Sequence, residues 1–148
     1  MIRVSKENKL NFTSKKSGGD EMFHYTVVTE KPISQILKDL EENLSKEKFG
    51  VLWSFNIKDK LNEKGLIFDQ DYYVLEVCNP FEAKEVLSIT SQVGYFLPCK
   101  IVVYEEAGIT KIGMVKPTAL ISILGDKNLD RKALEIEQKL IDCIKASK

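Results

Sequence analysis

Two thiols frame the chemical question: Cys78 in EVCNPFE and Cys99 in FLPCKIVVYEE, each beside a proline and each where a β-strand should end or begin. Thiol chemistry runs through the thiolate, whose share rises near a cation or a helix N-terminus. A helix opening at Pro80 would put such a terminus by Cys78, and Lys100 follows Cys99 directly. If the two strands are antiparallel neighbours, both sulfurs lie at one sheet edge, about twenty residues apart in sequence yet close in space. A soft metal, a persulfide or a small electrophile could then be held there. The competing reading is packing, because a free cysteine behaves as a small hydrophobe and is often buried.

The remaining reactive groups are few. His24 is the only histidine, and it reads as a surface or dimer-contact residue; joining it to the two thiols as a three-ligand set would need strand one to pass the same edge. No metal and no cofactor are expected. Glu76, Glu105 and Glu106 stand near the edge without a spacing that imposes acid and base roles. The glycines fit no phosphate loop or dinucleotide turn. Cys143 falls on a helical apolar stripe and reads as core.

The elements that must position these groups are legible from periodicity. MFHYTVVT (22–29) is a strand with Phe23, Tyr25 and Val27 on one face and His24 and Thr26 on the other. Ile33, Ile36, Leu37, Leu40 and Leu44 recur at helical spacing after Pro32, predicting a helix to about Lys48. FGVLWSFNI follows as a strand, with Val51, Trp53, Phe55 and Ile57 inward by alternation. A short helix closes at Gly65, YYVLEVC (72–78) is the third strand, and a helix runs from Pro80 to about Leu87. CKIVVYEE is the fourth strand, Gly108 marks a tight turn, TKIGMVKP returns as the fifth, and Pro117 ends the pairing. The closing helix takes Asn128 as N-cap and carries Leu129, Ala133, Ile136, Leu140, Cys143 and Ile144 on one stripe.

This order predicts an α+β two-layer sandwich: a mainly antiparallel five-stranded sheet with the two long amphipathic helices on one face. Tyr72, Val74, Val102 and Tyr104 then leave apolar area on the other face, and a homodimer would cover it. Residues 1–21, with little but Leu10 and Phe12 to bury, read as a flexible arm, and residues 22–148 as one domain.

Bulk properties exclude several classes. Of 148 residues 43% are hydrophobic, enough for one core. Lys and Arg number 22, as do Asp and Glu, interspersed along the chain, so there is no basic footprint for nucleic acid. The opening residues have no apolar signal core and no run is long enough for a membrane span. Three cysteines make no disulfide framework. A cytoplasmic protein with reduced thiols, no nucleic-acid partner and no membrane is expected.

GVLWSFNIKDKLNEKGLIFDQDYYVLEVCNPFEAKEVL, VGYFLPCKIVVYEEAGITKIGMVKP and LISILGD together resemble the domain-of-unknown-function 302 family, also called the Thermus-type 1751-like superfamily, over about residues 22–147. The resemblance extends to Cys78, Asn79, Pro80, Pro98 and Cys99; the segment before Met22 departs from the usual family start. It implies a two-layer sandwich of TATA-binding-protein-like topology and a tendency to dimerise, and it brings no established activity. The expected function is a homodimer that binds a small molecule at the sheet edge, with Cys78, Asn79, Pro98 and Cys99 as candidate ligand-binding residues. The alternative is a thiol-dependent enzyme or a carrier of sulfur or a soft metal, with Cys78 as nucleophile and Cys99 resolving it.

Overall fold

The structure, a computed structural model, describes residues 22–148. The arm expected over 1–21 lies outside the described residues.

Five strands, β1 (His24–Thr29), β2 (Gly50–Asn56), β3 (Tyr72–Cys78), β4 (Cys99–Glu106) and β5 (Ile109–Val115), form one sheet in the order β1-β5-β4-β3-β2. Every neighbouring pair is antiparallel. Alternation along the strands sends Tyr25 and Val27, Leu75 and Val77, Ile101 and Val103, and Ile112 and Met114 into the core. Onto that face pack the two long helices, α1 (Ile33–Lys46) and α5 (Lys127–Ser147). Helix α1 presents Ile36, Leu40 and Leu44, and α5 presents Leu129, Ala133, Leu140, Cys143 and Ile144. Full burial of each large aliphatic side chain contributes roughly 1.5–3 kcal/mol, so these two stripes fix the layering. The fold class is the expected one.

Shorter elements shape the ends of the sheet: α2 (Ile57–Glu63), α3 (Pro80–Ile89), a 3-10 turn at Ser91–Phe96, and α4 (Pro117–Ile121). Ala107 (φ 52) and Gly108 (φ 78) sit between Glu106 and its partner Ile109. Positive φ at both central residues is what a two-residue hairpin turn needs to match the twist of its strands.

Three sequence expectations change. The alternation of β2 is broken by a bulge: Val51 faces Val77, but Trp53 faces Glu76, with Leu52 as the extra residue. Beyond it Trp53 and Phe55 share the face of Glu76 and Val74, opposite to the core, and Trp53 is 56% exposed. Ile57 is not in the strand at all but opens α2, whose cap is the Asn56 side chain accepting from Lys58 N at 3.1 Å. The closing helix is capped by Asp126, not Asn128: its carboxylate accepts from Asn128 N at 2.8 Å and Leu129 N at 3.1 Å. Neither the turn at 91–96 nor α4 was visible in periodicity, since each is too short to carry a repeat.

The face away from the helices is apolar at its centre. Phe55, Val74 and Val102 align across β2, β3 and β4, and Tyr72 and Tyr104 stack with ring centroids 4.9 Å apart and planes 18° apart. Val74 is only 5% exposed, yet it belongs to this face and not to the helix-side core.

A candidate ligand site at the rim of the sheet

Strand register brings the two thiols to one rim. Cys99 stands opposite Val77, and Cys78, the next residue of β3, stands opposite Gly50. Cross-strand partners share a face and successive residues alternate, so Cys99 joins Val77 on the helix side, where it packs against the core. Cys78 turns toward the side of Glu76. The sulfurs are neighbours at the rim but belong to opposite layers.

Their environments hold both thiols neutral. Burial pushes Cys78 above its ordinary value; burial, with a smaller contribution from Cys78, pushes Cys99 up to about 11. The helix that was expected to favour a thiolate is α3, but Asn79 occupies its N-terminus. The Asn79 Oδ1 accepts from Phe81 N at 3.0 Å and Glu82 N at 3.2 Å, while its Nδ2 donates to the Glu47 carbonyl at 3.2 Å. Those amides are thus satisfied within the chain. Asn79 is 5% exposed and ties the end of β3 to the turn after α1.

Pro98 and Cys99 line a cavity of about 400 Å³ that wraps this rim; Cys78 and Asn79 do not reach it. Its floor is apolar: Val86 of α3, Ile136 of α5, and Pro117, Leu120 and Ile121 of α4. The segment Tyr95–Pro98, with a cis Leu97–Pro98 peptide, forms one wall. Glu76, Lys100 and Val115, from the row on the outer face of the sheet, complete the lip, and among the described residues Glu76 and Lys100 are its charged members. A largely apolar concavity of this size with a few convergent polar groups is the usual form of a small-molecule site.

The floor residues were not singled out by sequence reasoning, which looked for chemistry and not for space. The one available signal was Tyr95-Phe96-Leu97, an apolar run ahead of Pro98 outside any periodic element. In the sequence Pro117 marks the end of strand pairing; in the structure it is buried, opens α4 and lines the floor.

His24 ends near the same rim, opposite Val115 on β1, with its Nδ1 2.9 Å from Thr26 Oγ1 and its ring against Phe23. It lies across β5 from Cys99. Among the described residues no group of three His, Cys, Asp or Glu side chains is placed to hold a metal ion. Cys143 lies in the core, 3% exposed; its thiol meets the Asn43 carbonyl at 3.4 Å, and burial pushes it up to about 11. Among the described residues no helix is long and apolar enough to cross a membrane.

Comparison with known proteins gives the same picture of fold. No curated protein matches the chain. A crystal structure of an uncharacterized conserved protein, DUF302, from Bacillus stearothermophilus is 49% identical, with a TM-score of 0.84, covering 86% of this chain and all of its own. The model of the family described as domain of unknown function DUF302 matches residues 25–147, and the chain belongs to that family.

Proposed function

We propose that this protein is a non-catalytic, small-molecule-binding domain that works as a cytoplasmic homodimer, with its site at the rim where β3 ends and β4 begins. The observation that carries this reading is the apolar cavity of about 400 Å³ with Pro98 and Cys99 in its wall. In this reading Cys99 and Pro98 touch the ligand, while Asn79 and Cys78 hold the end of β3 behind them. The neutral state of both thiols supports binding over thiol chemistry: with Cys99 at about 11, roughly one molecule in ten thousand carries its thiolate at neutral pH. A thiol-dependent enzyme or sulfur carrier would need the opposite shift.

Ligand-observed NMR with a panel of small apolar compounds tests the reading. Leu120 is half-buried in the floor, so Leu120→Trp fills the space from a position that tolerates bulk. Compounds that bind the wild type should lose their signal with the variant, whose far-UV circular dichroism stays unchanged. If no compound separates the two proteins, the cavity is not a ligand site.

A further inference from the structure

The carboxylates next to the floor of the cavity are committed to other groups of the chain. On α3, one turn before Val86, Glu82 accepts from Lys139 at 2.8 Å and lies 3.3 Å from Lys132, and Glu85 also meets Lys132. On α5, Ile136 stands between Glu135, 3.2 Å from Lys132, and Glu137. Glu137 is 7% exposed, and its carboxylate accepts from Thr118 N at 3.1 Å and Thr118 Oγ1 at 2.6 Å at the start of α4. None of these groups, nor Lys116 before Pro117, lines the cavity.

The two charges at the lip belong to the other layer. Glu76 and Lys100 are cross-strand partners, and alternation turns both away from the face on which Leu75, Val77, Cys99 and Ile101 meet the core. At the mouth they offer one charge of each sign. A singly charged head gains from one what it loses to the other, and deeper in it meets no counter-charge. Cys99 adds none, because burial holds its proton up to about 11; the neutral thiol is a weak donor.

An ion entering such a floor gives up its hydration and finds no partner in return, whereas an uncharged apolar body sheds only the water that the hydrophobic effect expels. A volume of about 400 Å³ lies toward the small end of ligand pockets, which span roughly 300–1,000 Å³, and suits a body of one or two rings. Resting on the reading of the cavity as a ligand site, we propose that it takes uncharged apolar molecules of one or two rings and rejects the acids and amines of the same skeleton. The committed carboxylates make the floor selective by leaving it nothing with which to answer a charge.

Calorimetric titration of the full chain at neutral pH with naphthylmethanol, naphthoate and naphthylmethylammonium, one positional isomer throughout, tests this selectivity, because the three share a ring system and differ in head charge. The alcohol is expected to bind at least about ten-fold tighter than either ion. Leu120→Trp, which fills the floor, should remove the alcohol's heat. The comparison of heads needs only the wild type, so it stands even where that variant folds poorly. Either ion binding as tightly as the alcohol would overturn the exclusion of charge and leave a ligand site in place. Heat from the alcohol that survives in a folded Leu120→Trp chain would place its binding elsewhere and overturn the assignment to this floor. If none of the three binds, and benzyl alcohol also gives no heat, the cavity is not a ligand site and both readings fall together.

Discussion

At the scale of single residues, the contest at the rim is between burial and nearby charge, and burial wins. Sequence proximity put Lys100 and a helix start beside the thiols, which argued for a lowered thiol. The structure spends the helix start on the Asn79 side chain and sends Cys99 to the core side. Taking a thiolate out of water costs more than these neighbours return. Two measurable outcomes follow. Iodoacetamide labelling of the native protein at pH 7.5, followed by mass spectrometry, should modify Cys99 far more slowly than an unfolded control; labelling at the unfolded rate would refute the neutral thiol. Stability should also fall in alkali. Because the folded protein holds the Cys99 and Cys143 protons up to about 11, their contribution is complete below the unfolded value near 9 and is lost as pH rises through 11. The loss is at most about 2.7 kcal/mol per thiol. Urea unfolding between pH 8 and 11 reads it, with Cys143→Ala removing the part owed to that site.

At the scale of elements, α3 is clamped to α5 beside the cavity by charge. Glu82 of α3 accepts from Lys139 at 2.8 Å and lies 3.3 Å from Lys132, both on α5, and Lys132 also meets Glu85 and Glu135. Burial works against the Glu82 carboxylate, but the two lysines outweigh it and hold it below its ordinary range. Its contribution is therefore present above the unfolded carboxylate value and is lost as pH falls through the folded one. Since Val86 and Ile136 line the cavity from these same helices, acid should loosen the site ahead of the sheet. Hydrogen exchange at pH 3.5 against pH 7 should show faster exchange in α3 than in β3 and β4, and Glu82→Gln should reproduce the effect at pH 7. Uniform exchange across these elements would show that the clamp does not hold the wall.

The elements also mark how far sequence reasoning reached. Long amphipathic stretches announced α1 and α5 and alternation announced β1, because burial on one face imposes a period, while Gly65, Pro80, Gly108 and Pro117 bracketed β3, β4 and β5. Asn79 was expected among the ligand-binding residues; in the structure it caps α3 and does not line the cavity. The bulge at Leu52 was silent, since an inserted residue leaves composition unchanged while reversing every face after it. The cavity was silent for a different reason: its floor draws one or two residues each from α3, α4 and α5, and only the packed fold brings them together.

At the scale of the whole molecule, the bulge determines what kind of surface the protein shows. Had strict alternation held, Trp53 and Phe55 would have joined the core; instead they extend the outer face, where Trp53 is 56% exposed beside Val74, Val102 and the Tyr72–Tyr104 stack. An aromatic and β-branched patch on a sheet face is a form that interfaces take. The same face carries Lys100 and Glu76 in one row, and the chain as a whole has no net charge. With one lysine and one glutamate adjacent in that row, the face carries no net charge there that would oppose a second copy. The proposed homodimer should therefore assemble through this face, and sedimentation velocity across micromolar concentrations should give a dimer mass. Trp53→Lys puts a cation at an exposed position that leaves the core untouched; it should shift the equilibrium to monomer while the unfolding free energy of the monomer changes by no more than about 0.5 kcal/mol. A wild type that remains monomeric at the highest concentration, or a Trp53→Lys variant as dimeric as the parent, would mean that the open face has another role and that its aromatic residues are tolerated in water.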